Sequence, residues 1–250
     1  MAQDLSLLHK YASLFRKLIN SSVWGSDKSI KTLLRLNSES DWNFLTAAMD
    51  IVDDASSAIH HIESYGLSGP TKYRDTGEKY LRLYGLLSAT YIQQQAILTI
   101  FRIMNVPKPR DAVLRFDKLE IRSLRHKLSS HGTNYRNPTT GTIEAYVPLR
   151  FDLGDMKVTA VNQTGASHWE KVDLAKAIQS HIEAALDILD QILEKSIRTV
   201  FRGHDKKKNN FLNELADLRT EKAGGFVIKG NRGPKLVVTF VGTKTRRRSR

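Results

Sequence analysis

The chain has no cysteine among its 250 residues. That excludes a disulfide scaffold, a thiol nucleophile and a thiolate zinc site, and it suits a reducing compartment. Long apolar runs are also missing. Nothing approaches the ~20 consecutive apolar residues of a membrane helix, so no membrane association is expected. The opening residues, Met1-Ala2-Gln3-Asp4-Leu5-Ser6, carry an early acid and no apolar block. They do not read as a signal peptide, and a cytoplasmic location is the expectation. There is no G-x-x-x-x-G-K-S/T loop, no G-x-S-x-G elbow and no H-E-x-x-H helix, so ATPase, serine hydrolase and zinc protease chemistries have no support. No cofactor is expected.

Acids are scarce beside bases. The chain holds 26 Asp plus Glu against 39 Lys plus Arg, a net charge of +13. Such an excess favours a polyanionic partner, with nucleic acid first among candidates. Part of it sits in the last seven residues, Lys244 to Arg250, of which five are basic. That stretch is too charged to pack and is expected to be disordered.

What is present is mostly helical periodicity. Apolar positions Leu7, Leu8, Tyr11, Leu14, Phe15 and Leu18 mark a helix over 4–20, and a short one is expected over 28–36. Asp41 is placed as the cap of a long helix whose apolar stripe includes Phe44, Leu45, Ala48, Val52, Ile59 and Ile62. Asp75-Thr76-Gly77-Glu78 has capping-box spacing and opens a third helix to about Met104, with Leu81, Tyr84, Leu87, Tyr91, Ile97 and Phe101 on its apolar positions. A fourth and strongly basic helix is expected over 111–130, with Val113, Phe116, Leu119, Leu124 and Leu128 as core candidates.

Turn residues over 134–142 then introduce alternation at Ile143, Ala145 and Val147 and again at Val158 to Val161, read as a β-hairpin around 142–162 packed on the helices. Ser167-His168-Trp169-Glu170 reads as a second capping box, opening the strongest amphipathic helix of the chain. The acids Glu183, Asp187 and Asp190 are placed on its solvated face. Beyond Gly203, residues 205–210 read as a linker or basic turn, Phe211 to Leu218 as a short helix, and 226–228 with 236–241 as a second hairpin. The expected fold is mainly α: an up-and-down bundle of four to five long helices over 1–202, with the inserted hairpin, and a C-terminal extension over 203–250.

Chemistry concentrates in Leu124-Arg125-His126-Lys127-Leu128-Ser129-Ser130-His131-Gly132, where a helix runs into glycine and a polar loop. Arginine holds phosphate oxygens in a planar fork. Histidine is the side chain suited to moving protons near neutral pH. The other histidines are scattered. His60 and His61 are adjacent on a helix and point about 100° apart, a poor chelate, so no metal site is expected.

Arg125-His126 followed by His131 resembles the signature of the HEPN superfamily, helical domains of toxins, CRISPR effectors and other defence systems. The pattern is an arginine, then Asn, His or Asp, then a histidine after a gap that the five residues here satisfy. The resemblance covers the helical part, about 1–202, and its specific portion is eight or nine residues. It implies metal-independent RNA cleavage by attack of the ribose 2′-hydroxyl, with His131 as general acid or base, Arg125 on the phosphate, and His126 orienting or sharing the proton work. Arg122, Lys127, Ser130 and Asn134 become candidate substrate contacts. It also implies a homodimer with a composite site and a possible antitoxin or defence-complex partner. The family's toxins that are silenced by nucleotide transfer carry a tyrosine two residues after the histidine. Thr133 stands there and Tyr135 lies two further on, so that switch is not expected.

Ordinary readings stand beside these. Arg125 could be a surface ion pair, and His131 a C-terminal residue favoured by the helix dipole. Six residues of ideal helix turn about 600°, which leaves Arg125 and His131 on different faces unless the helix ends first. The rival functions are a non-catalytic RNA- or partner-binding module, with Lys206 to Lys208 and the tail gripping phosphates, and a scaffold subunit of a defence complex.

Overall fold

A computed structural model of the chain describes residues 2–71, 75–164, 168–228 and 236–238. The protein is mainly helical with small antiparallel sheets. Eight α-helices lie among the described residues: α1 (Ala2–Val23), α2 (Ile30–Leu34), α3 (Asp41–Tyr65), α4 (Thr76–Ile103), α5 (Pro109–Asp117), α6 (Glu120–Arg125), α7 (Leu174–Val200) and α8 (Asp205–Lys222).

Helix α7 is the centre of the packing. Its residues from Leu174 to Val200 are buried at three- and four-residue steps, which gives it apolar surface on more than one side. It meets α1, α4, α5, α6 and α8. Its start differs from the capping-box expectation. Trp169–Asp173 is a strand, and the cap is Asp173, whose carboxylate accepts from the Lys176 N–H at 3.1 Å. The period is the reason. Trp169, Lys171 and Asp173 are exposed while Val172 is buried, an alternation that belongs to a sheet. Ser167 lies outside the described residues.

Helices α3 and α4 pack against each other. At the α3 N-terminus Asp41 is the first helical residue rather than the cap, and its carboxylate accepts from the N–H groups of Asn37 and Ser38. The α3 C-terminus is set by Gly66, at φ 61° and ψ −167°, a conformation open to glycine. Its carbonyl accepts from buried Arg82 of α4 at 2.9 Å. Asp75 caps α4 through the Gly77 N–H at 2.7 Å. Phe44, Leu81, Tyr84 and Val113, expected in the core, are exposed.

The inserted β-structure is larger than one hairpin. A short ribbon pairs β1 (Tyr135–Arg136) with β2 (Ile143–Glu144). A three-stranded sheet has the order β3 (Tyr146–Pro148), β4 (Lys157–Asn162), β5 (Trp169–Asp173), with Val147 opposite Val161 and Val158 opposite Val172. Both β4 and β5 pack on α7, which gives the three-stranded sheet a hydrophobic support.

Residues 205–210, expected as a linker, are the first turns of α8. Phe211 and Leu215 enter the core, with Phe211 stacked on Phe201 at 5.1 Å. Two of the three α7 acids expected in solvent, Asp187 and Asp190, hold this helix together with Glu194. Asp187 pairs with Lys222 as well as Arg115, and Asp190 and Glu194 pair with Arg219. Glu183 is exposed and accepts from Gln179. The C-terminal hairpin is present as β6 (Phe226–Ile228) paired with β7 (Leu236–Val238). Its turn and the Lys244 to Arg250 tail lie outside the described residues.

Candidate active site

The expected fourth helix is broken in two places, and the second break makes the site. Leu119 is extended, at φ −73° and ψ 135°, so the chain stops after α5 and restarts as α6. At Arg125 the winding changes again. Residues His126–Ser130 form a π-turn, closed by the His131 N–H donating to the His126 carbonyl at 2.9 Å. This i→i+5 bond makes each turn wider than in an α-helix.

The wide turn brings His126, rather than Arg125, beneath His131. In an α-helix, residues five apart are separated by about 140° around the axis. Here His131 stands one turn above His126. Their rings stack at 5.9 Å between centroids with an interplanar angle of 18°. Gly132 then leaves the turn, and its carbonyl accepts from the Tyr146 N–H at 2.6 Å. That bond ties the motif to the first residue of β3.

Arg125 and Arg122 lie three residues apart on α6 and share the ring of Tyr91 from α4. The Arg125 guanidinium carbon is 3.6 Å from the ring centroid and that of Arg122 is 5.2 Å away. Their electrostatic situations differ. Arg122 is largely covered, pairs with Asp117 at 2.9 Å and donates to Gln94 Oε1 at 3.1 Å. Arg125 has no carboxylate partner among the described residues, and its Nε is buried without an acceptor. Its positive charge is held against an aromatic face.

His126 is half-buried and His131 exposed. Burial first, and then the positive neighbours Arg122, Arg125 and His131, push the His126 imidazole below its ordinary value. Its neutral, proton-accepting form therefore persists to lower pH than that of an isolated histidine.

The remaining candidates divide. Ser130 and Asn134 are exposed at the rim, and the Asn134 N–H donates to the His131 carbonyl at 3.0 Å. Lys127 points away into the sheet. It pairs with Glu170 of β5 and lies 5.8 Å from the Tyr135 ring and 5.2 Å from that of Tyr146. The Tyr146 hydroxyl donates to Glu144 at 2.8 Å, and burial together with this carboxylate pushes the phenol up to about 12.

A buried relay supports the site from behind. His181 of α7 is fully buried and lies 2.7 Å from Gln93 Oε1 and 3.3 Å from Gln94 Nε2. Gln94 then meets Arg122, while Gln93 donates to Ser56 Oγ at 2.8 Å and to the Val52 carbonyl at 3.1 Å. Sequence reasoning passed over Gln93, Gln94 and the site role of Tyr91. The available signal was Gln93-Gln94-Gln95 inside an otherwise apolar helix, since polar groups in a core need specific partners.

Among the described residues, no three His, Asp or Glu side chains converge as a metal-binding group, and no helix is long and apolar enough to cross a membrane. No family model, curated protein or solved structure matches the chain.

Proposed function

We propose that the protein is an RNA endonuclease that cuts without a metal, by attack of a ribose 2′-hydroxyl on the adjacent phosphorus. The observation that carries this reading is the placement of two stacked histidines beside an arginine that has no carboxylate partner among the described residues. Transesterification needs a proton acceptor, a proton donor and positive charge at the phosphoryl oxygens. His126, held neutral, takes the 2′-hydroxyl proton as the new oxygen–phosphorus bond forms. His131, at the exposed end of the stack, gives a proton to the departing 5′-oxygen as the old bond breaks. Arg125 binds the phosphate and offsets the charge that develops on it.

Arg122, Lys127, Ser130 and Asn134 were candidate substrate contacts. With Arg122 and Lys127 already paired to carboxylates, Ser130 and Asn134 at the rim are the better placed of the four. The HEPN resemblance and the central position of α7 support reading the helical part as an up-and-down bundle. The same resemblance supports a homodimer in which a second copy meets the exposed His131 edge, in a toxin or antiviral defence setting.

The test is incubation of purified protein with mixed RNA in excess EDTA, beside Arg125→Ala and His131→Ala. Cleavage by the wild type alone supports the reading. Cleavage that survives both substitutions places the activity elsewhere. Salt-sensitive RNA retention with no cleavage favours the non-catalytic binding module.

A further inference from the structure

A groove beside the candidate active site is lined by Tyr80 and Tyr84 of α4 and by Val147, Pro148, Arg150 and Phe151 at the end of β3 and in the short 3-10 turn Arg150–Asp152 that follows. Phe151 is 82 % exposed, and Tyr84 and Val147 are also open to solvent. Tyr80 and Tyr84 stack at 5.9 Å, with their planes 21° apart.

Two features connect this groove to the motif. Tyr84 and Tyr91 are seven residues apart on α4, so they lie about 20° apart around the axis and roughly 10 Å apart along it. Tyr91 is the ring beneath Arg125. One helix face therefore carries the phosphate-binding arginine's platform at one point and the tyrosine pair two turns away. On the opposite wall, β3 starts at Tyr146, bonded to Gly132 of the motif, and leads through Val147 and Pro148 into the groove.

We infer that this groove is a base-stacking site for nucleotides flanking the cleaved phosphate, and that the substrate is single-stranded at that position. The inference rests on the ribonuclease reading. Stacking on Tyr84 and Phe151 recognises any unpaired base by its π-face, while Arg150 supplies charge for the backbone. Bases locked in a duplex present no free face to such a groove. The net charge of +13 suits a polyanionic occupant such as a nucleic acid.

The experiment measures binding of the full chain to a labelled single-stranded 2′-O-methyl oligonucleotide, which cannot be cut by 2′-hydroxyl attack, and to a blunt duplex of the same sequence. The proteins are wild type, Tyr84→Ala, Phe151→Ala, Phe151→Trp and Arg125→Ala. Because Tyr84 and Phe151 are exposed, their truncation should leave the fold intact, checked by circular dichroism. The expected result is a loss of about tenfold in single-strand affinity for each alanine variant, from the usual worth of one stacked base. Phe151→Trp should retain affinity, and duplex binding should not change. Unchanged single-strand affinity in Tyr84→Ala and Phe151→Ala, with a loss in Arg125→Ala, overturns the groove and leaves the ribonuclease reading standing. Losses in the groove variants but not in Arg125→Ala support stacking in the groove and count against Arg125 as the phosphate-binding residue. Equal losses on duplex and single strand overturn stacking. Loss of self-association in Phe151→Ala with unchanged affinity assigns the groove to a second copy and also overturns it.

Discussion

The rings of His126 and His131 stack at 5.9 Å because the His131 N–H bonds to the carbonyl of His126, five residues back. One hydrogen bond thus converts a sequence gap that an α-helix would splay apart into a pair of facing imidazoles. Arg125, the last α-helical residue before the change of winding, is left against Tyr91 with its charge unpaired among the described residues.

Burial and the positive groups around it set the titration of His126. Its pKa is lowered by burial and by positive neighbours, so in an NMR titration its ring protons should shift at a pH below the 6.5 of an unperturbed imidazole. Arg125→Gln removes one positive neighbour and should move that midpoint upward. If cleavage needs neutral His126, the acid limb of the rate profile moves upward with it. A midpoint that stays put or falls in Arg125→Gln contradicts the arrangement.

His181 makes folding pH-dependent. Burial lowers its pKa from 6.5 to about 4 in the folded chain. Below 6.5 the unfolded chain takes up a proton that the native one refuses, so the contribution is complete above pH 6.5 and is lost as pH falls toward 4. The difference corresponds to about 3 kcal/mol. Urea unfolding between these pH values should show the loss, and His181→Gln should flatten the slope. Equal slopes in the two proteins would contradict this.

Lys127 is expected to matter for stability more than for RNA. Its pairing with Glu170 and its position over Tyr135 and Tyr146 join the π-turn to the sheet. Lys127→Met should cost about 1–2 kcal/mol, less than breaking a fully buried pair, while RNA affinity changes little. A large loss of affinity with unchanged stability would return Lys127 to the substrate contacts.

Helix α8 shares the core through Phe211 and Leu215. Phe211→Ala should therefore lower unfolding stability by about 3–5 kcal/mol. A negligible change would mean that the chain beyond 202 contributes nothing to the rest.

Much of the helical pattern was legible because α1, α3, α4 and α7 repeat apolar residues at helical steps. Errors arose where two signals competed. Trp169 to Asp173 alternates like a strand but follows a capping-box spacing, and pairing with β4 decided it. Asp205 to Asn210 is polar enough for a linker, yet Phe211 and Leu215 carry the segment into a helix against α1 and α7. The motif residues were legible as types and spacing. Their convergence was not, because a π-turn depends on one longer backbone bond, and the support from Gln93, Gln94 and His181 depends on three helices meeting.

The most direct measurement is the chemical identity of the ends produced when purified protein cuts a defined single-stranded RNA in EDTA. The account predicts 2′,3′-cyclic phosphate on one fragment and a free 5′-hydroxyl on the other, with neither formed by Arg125→Ala or His131→Ala. Fragments bearing 5′-phosphate and free 3′-hydroxyl ends, or cyclic ends that persist in both variants, would contradict it.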